Sequence, residues 1–363
     1  MHREIRYGSW SLGAAGATVL IAQSFHPTML GVLWAGGTAA WLSILLAGLL
    51  SVALSWPVAV QVGRTPGGSL ISLARAAGGG AAAFATAVAV GGLLVYHSGL
   101  VLREASEMAV TVVFPHTPQT FAMVALLLGA LYAAIGGIDS IVILCRAFLP
   151  ILLLVTGIIL VGSMGWGEVR LLLPLFGPGP GPLLLRSPLV AALYSPLLFL
   201  LAGADRLHDR RELWRAGLIA AAITMVVFAL VKALLVMAFP LPLGEIIAFP
   251  LHAMARLVIG GRFFERIEAL WLFFWVYATG CHLGALLHTA SAMYAEAVGF
   301  PNHRPAVLPM LLAAGTIGLF PPDIGRAIAW HVNVAPVAVG IAFGLPLLLA
   351  LVSRLRQRRA AHG

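Results

Sequence analysis

The residues with the most chemistry to offer lie where apolar segments are interrupted. Ser187 to Asp205 reads SPLVAALYSPLLFLLAGAD, and Tyr194, Ser195 and Pro196 break it near the middle. Pro196 lacks an amide hydrogen and crowds the turn before it, so a continuous helix is not expected there. Near the start, Gly13, Ala14, Ala15, Gly16, Ala17 and Thr18 fall inside the first apolar run. In hydrocarbon, backbone freed at such breaks is tolerated only against protein or a wet cavity. Two breaks at corresponding places in two halves of a chain mark a transporter-type binding site.

The chemistry of such a site is the recognition of a small zwitterion. Half-helix N-termini offer free N–H groups to a carboxylate, and half-helix C-termini offer carbonyls to an ammonium. Gly13, Ala14, Gly16, Ala17 and Thr18 are therefore expected to supply backbone around a carboxylate, with Tyr194, Ser195 and Pro196 as the opposing wall. Tyr96 and His97 in the third span, and His282 in the eighth, are candidates for the same cavity. Two blander readings compete with this one. The glycines would serve only to let helices approach closely, and each histidine would be a hydrogen-bonded structural residue. The flanking Ala, Val and Leu residues favour a small or branched neutral amino acid.

Catalysis is not expected. No nucleophile–base pair, P-loop or dinucleotide fingerprint is present, and the glycine clusters at 78–80 and 177–181 lack the strand and helix context those motifs need. His97, His282, His288 and His331 show no metal-ligand spacing, since His282 and His288 are off one helix face. Neither a metal nor a cofactor is implied.

The elements that must position these residues follow from composition. The chain has 363 residues, 61% hydrophobic and 10% charged, with a mean hydropathy of +0.99. Soluble domains carry roughly 25% charged residues, so this is an all-α integral membrane protein forming a single transmembrane domain over 1–363. Ten spans are expected, at about 8–29, 33–62, 81–114, 118–137, 141–163, 187–204, 214–239, 264–298, 305–321 and 331–353. The halves 8–163 and 187–353 then hold five spans each, which reverses the second half as a 5+5 inverted repeat requires.

The formal charge of +9 forms no contiguous basic face, so nucleic acid is not an expected partner. Arginines gather on the side of the N-terminus, at Arg3, Arg6, 206–215 and the tail 354–363, which puts both termini in the cytoplasm. Arg103 and Glu107 are four apart and are expected to pair on one helix face, either as a structural ion pair near the outer surface or with a role in gating. Lys232, the only lysine, is expected to snorkel toward the outer interface. Cys145 and Cys281 are expected to be unpaired. The stretch 63–80 is expected to hold a short amphipathic segment on the inner surface, and 245–268 an amphipathic external helix.

Several segments resemble the B subunit of spore germinant receptors, a spore permease family similar in turn to amino acid/polyamine/organocation transporters with the LeuT-like arrangement and broken helices 1 and 6. They are Leu102-Arg103-Glu104-Ala105-Ser106-Glu107, the turn Pro115–Pro118, Phe263-Phe264-Glu265-Arg266-Ile267-Glu268-Ala269, HRPAVLP at 303–309 and LFPPD at 319–323. In that family a Gly-rich break is followed by a proline, whereas here Gly16 to Gln23 lead only later to Pro27. The resemblance implies a nutrient sensor in the inner membrane of a dormant spore. It would act with an A subunit and a lipoprotein C subunit to start germination when an amino acid or similar small molecule binds. A proton- or sodium-coupled amino acid permease, or a water or ion channel, shares the same break pattern.

Overall fold

The computed structural model describes residues 5–258 and 267–362, apart from the side chains of Thr28, residues 267–272 and residues 359–362. The chain folds into helices because, in a bilayer, only internally hydrogen-bonded helices and closed barrels satisfy every backbone group. The helices are α1 (Ser9–Ile21), α2 (Leu30–Gly36), α3 (Ala40–Arg64), α4 (Leu70–Met108), α5 (Gln119–Ser163), α6 (Pro180–Val190), α7 (Phe199–Ala202) and α8 (Leu213–Ala238). They continue as the short α9 (Leu241–Gly244) and α10 (Pro250–Ala255), then α11 (Ile267–Val298), α12 (Arg304–Leu319), α13 (Ile324–Val339) and α14 (Leu345–His362).

Among the described residues, 6 helical stretches are long and apolar enough to cross a membrane. One of them, Gln119–Trp166, has 48 residues, or about 70 Å at 1.5 Å per residue, against a hydrocarbon thickness of about 30 Å. It is interrupted at Gly137, where φ is 83°, a conformation that glycine adopts without penalty. A similar interruption at Gly79, φ 76°, separates Leu70–Gly78 from the long remainder of α4 and forms the short segment expected within 63–80. Within the expected external helix at 245–268, the described residues form only the short α10, Pro250–Ala255. Residues 259–266, with Arg262, Glu265, Arg266 and the start of the Phe263–Ala269 motif, lie outside the described residues, as does Arg3.

The first helix is broken, but not where the glycines stand. α1 runs unbroken through Gly13, Ala14, Gly16, Ala17 and Thr18. The interruption comes at tight turns over Ala22–Phe25 and Pro27–Met29, with His26 extended between them at φ −100° and ψ 152°. Pro27 is the cause: its ring pushes the preceding residue out of the α region. The glycines let α8 approach closely instead. A Cβ on Gly13 would lie 2.8 Å from the Ala216 carbonyl oxygen, and one on Gly16 2.7 Å from Leu200 Cδ2 and 3.1 Å from Ala220 Cβ. The second break stands where it is expected, as a 3-10 segment over Ala191–Leu198 that contains Tyr194, Ser195 and Pro196.

Both broken helices are tied together at one end. Tyr7 N–H donates to the Arg206 carbonyl at 3.1 Å, and His208 N–H donates to the Tyr7 carbonyl at 3.2 Å. The Tyr7 phenol is held well above its ordinary pKa by burial first and then by Asp139 and Asp205, so it stays protonated. Arg206 faces both Asp139, at 3.9 Å, and Asp205, at 3.6 Å. At the other end Arg103 pairs with Glu107 at 3.3 Å, as expected. Arg103 also bonds Gln119 of α5 and the Pro322 carbonyl, so the Leu102–Glu107 and LFPPD segments meet there. Cys145 and Cys281 are unpaired and buried.

Lys232 does not snorkel: it is 0% exposed. α8 is packed so closely on α1 and α3 that its apolar stem points into the bundle rather than along a lipid-facing surface.

Candidate ligand site at two helix breaks

Unwinding after Ile21 deprives the last carbonyls of α1 of their i+4 amides, and in hydrocarbon each needs another donor. Side chains provide them. His282 Nδ1 lies 2.6 Å from the Val19 carbonyl. Gln23 Nε2 donates to the Leu193 carbonyl at 2.8 Å and sits 3.4 Å from the Leu20 carbonyl. A single amide group from the first break thus holds a carbonyl of the second. Below the break, Thr18 Oγ1 donates to the Cys145 carbonyl at 2.8 Å and ties α1 to α5.

Beside the breaks a set of titratable groups continues across the bundle. His97 Nε2 is 3.2 Å from His282 Nε2, and the His97 and His331 rings meet edge-on with centroids 5.1 Å apart. His331 Nδ1 is 2.7 Å from Glu104 Oε1, a fully buried carboxylate. His26, extended at the first break, has Nε2 3.4 Å from Thr279 Oγ1. Helix geometry explains the convergence. His97 and Glu104 are seven apart on α4 and share its inner face, while Arg103 and Glu107 project from another face toward the surface.

A cavity of about 280 Å³ opens against this network, lined among others by Tyr96, His97, Arg186, Ser195, His331 and Ala335. Its volume falls just below the roughly 300–1,000 Å³ of drug-sized ligand sites, room for a small solute. A second, larger cavity of about 520 Å³ lies between α3, α8 and the turn at 340–344, walled by apolar groups such as Trp56, Leu197, Trp214 and Phe343. None of the candidate site residues lines that one.

Of the candidate residues, Tyr96, His97 and Ser195 line the smaller cavity, and His282 stands one hydrogen bond behind His97. Tyr194 turns away. Its hydroxyl donates to the Ile44 carbonyl at 3.2 Å and its ring packs on Phe228, so it joins the second break to α3 and α8. Pro196 shapes the turn without lining the cavity. Gly13, Ala14, Gly16, Ala17 and Thr18 lie within α1 and offer no unwound backbone. Sequence reasoning passed over Gln23, His26, Glu104, His331 and Arg186 as site residues. His26–Pro27 carried a readable signal in the restriction on residues before proline, and His97 with Glu104 carried another in their heptad spacing.

Buried helices interrupted twice beside a pocket have the arrangement of the LeuT fold, and solved structures agree. MhsT in complex with L-phenylalanine superposes with a TM-score of 0.65 at 14% identity, covering 97% of this chain and 89% of that one. A single-residue mutant of the Eremococcus coleocola manganese transporter superposes with a TM-score of 0.54 at 15% identity, covering 94% and 78%. At these identities the likeness is one of fold. Within that class, residues 24–322 match the family described as spore germination protein, the spore permeases, and the chain belongs to it. It is 25% identical over 282 residues to spore germination protein KB of Bacillus subtilis (strain 168), covering 73% of each chain.

Proposed function

We propose that the chain is the membrane-embedded, nutrient-sensing subunit of a spore germinant receptor, and that it binds a small amino acid in the cavity beside the two helix breaks. One observation carries this reading. The Gln23 side chain joins break to break at 2.8 Å next to a 280 Å³ cavity lined by the donor-bearing side chains of Arg186, Ser195 and Tyr96 from several elements. An amino acid carboxylate calls for such donors. Lys232, on α8, does not line that cavity. It is fully buried, with no hydrogen-bond partner for Nζ among the described residues, and a buried ammonium is costly unless an anion meets it. The α1–α8 register set at Gly13 and Gly16, continued about 18 Å along α8, puts Lys232 level with the first break.

In this reading the chain crosses the spore's inner membrane ten times as one domain of two inverted halves, 8–163 and 187–353, with both termini in the cytoplasm. It passes the binding signal to A and C subunits. A proton- or sodium-coupled amino acid permease is the second reading, and the LeuT-fold neighbours favour it. Uptake of labelled amino acid into vesicles far beyond binding stoichiometry separates the permease from the sensor.

A thermal-shift screen of the purified chain against amino acids, sugars and nucleosides tests the site. An amino acid should raise Tm in the wild type. Ala335→Phe, which fills the cavity, should remove the ligand shift while leaving the ligand-free Tm within a few degrees. An unchanged ligand shift in Ala335→Phe would place binding elsewhere.

A further inference from the structure

The hydrogen-bond directions within the buried network can be worked out atom by atom. A carbonyl oxygen only accepts, so His282 carries its hydrogen on Nδ1, where it meets the Val19 carbonyl at 2.6 Å. In a neutral ring the other nitrogen, Nε2, is then a bare acceptor. The hydrogen in the 3.2 Å contact between His282 Nε2 and His97 Nε2 therefore belongs to His97, and His97 Nδ1 is the bare nitrogen of that ring. His331 stands against His97 ring to ring and holds Glu104 Oε1 at 2.7 Å through Nδ1. His97 and His331 both line the 280 Å³ cavity. The network thus has one end at that cavity and the other at the carbonyl where α1 unwinds.

We infer that Glu104 and His331 form a proton-binding site at the inner wall of the cavity, and that His97 relays the proton to His282 at the first helix break. The bookkeeping closes. A proton from cavity water adds to the Glu104–His331 pair and takes it from one net negative charge to none. Passing it on requires the His97 and His331 rings, which meet edge-on with centroids 5.1 Å apart, to turn until His331 Nε2–H reaches His97 Nδ1. His331 then gives its proton to His97 Nδ1 while His97 Nε2–H gives its own to His282 Nε2. His97 ends neutral in its other tautomer, Glu104 and His331 return to one negative charge, and His282 becomes an imidazolium with Nδ1–H still on the Val19 carbonyl. A hydrogen bond from a charged donor is about twice as strong as a neutral one, so the relayed proton tightens the hold of α11 on the end of α1.

The groups facing this site come from the helices packed around it: His97 from α4 itself, His282 from α11, His331 from α13 and, from the first break, His26, whose Nε2 is 3.4 Å from Thr279 Oγ1 of α11. Arg186 of α6 stands at the cavity wall. Arg103 and Glu107 are paired with each other on another face of α4. The proposal stands apart from the identity of the nutrient, because proton binding is read without a ligand.

The test is a pH titration of the full chain in lipid nanodiscs, with nitrogen-15 histidine NMR and infrared difference spectra recorded in parallel. In the wild type a carboxyl band assigned by its loss in Glu104→Gln should titrate together with the His97 and His282 ring signals. Glu104→Gln should displace the histidine transition by about one pH unit or more, as removal of a nearby charge does. His97→Gln cuts the relay while keeping a hydrogen-bonding side chain. It should leave the carboxyl band titrating and hold His282 in one neutral tautomer across the whole range. The proposal is overturned if the Glu104 band does not titrate in the wild type, or if His282 titrates in His97→Gln as it does in the wild type. Should Glu104→Gln fail to fold, the carboxyl band assigned by carbon-13 glutamate labelling and the His97→Gln result decide the matter alone.

Discussion

The two helix breaks are built differently. At the first, Pro27 drives His26 to an extended conformation, the chain leaves helical geometry, and polar side chains at Gln23, Ser24 and His26 are turned into the protein interior. At the second, the residues flanking Ala191–Leu198 keep right-handed helical angles, and Pro196 is absorbed into tighter 3-10 turns among apolar neighbours. The first break therefore contributes side-chain donors, and the second contributes carbonyls such as that of Leu193. A proline alone does not unravel a helix. What matters is whether the residue before it is free to go extended, or whether a 3-10 turn can take up the missing hydrogen bond.

The contrast is broken most severely at its one direct link. Gln23→Leu removes the donor to Leu193 and leaves that buried carbonyl unpaired, a cost of about 1–3 kcal/mol. It should abolish the nutrient-induced Tm shift and lower the ligand-free Tm as well. A retained ligand shift would show that the breaks act separately. The two prolines sharpen the comparison. Pro27→Ala lets His26 return to the helix and should reduce nutrient affinity by at least about tenfold, or about 1.4 kcal/mol. Pro196→Ala, in backbone that is already near-helical, should change it less than threefold. Equal effects from the two substitutions would erase the distinction between the breaks. The smallest effect on binding belongs to Gly13→Ala, whose new Cβ meets the Ala216 backbone oxygen. It should destabilise the fold by about 1–3 kcal/mol through overpacking and leave nutrient affinity unchanged, as measured by titration of the folded fraction.

The membrane class, the all-α fold, the second break and the Arg103–Glu107 pair were legible because each rests on a local rule of hydropathy, proline geometry or helix spacing. The first break was misplaced for a physical reason. Gly13 and Gly16 have the composition of an unwound segment, but small residues serve equally to bring two helices together, and only the partner helix α8 decides between those uses. Lys232 was misread in the same way, because whether its stem runs to the interface or into the bundle depends on neighbours distant in sequence. The histidine network was half legible: His97 and Glu104 share a face of one helix. His282 and His331 join them from α11 and α13 only through the tertiary fold. Tyr194 shows the limit from the other side, since a residue within a break can still face away from the cavity.

The most direct test of the account is a cryo-electron microscopy structure of the chain with the amino acid that gives the largest Tm shift. The account predicts solute density beside Gln23 and Leu193, in contact with His97 and Ser195. Density in the apolar 520 Å³ cavity between α3 and α8, with the two breaks unchanged and solute-free, would contradict it.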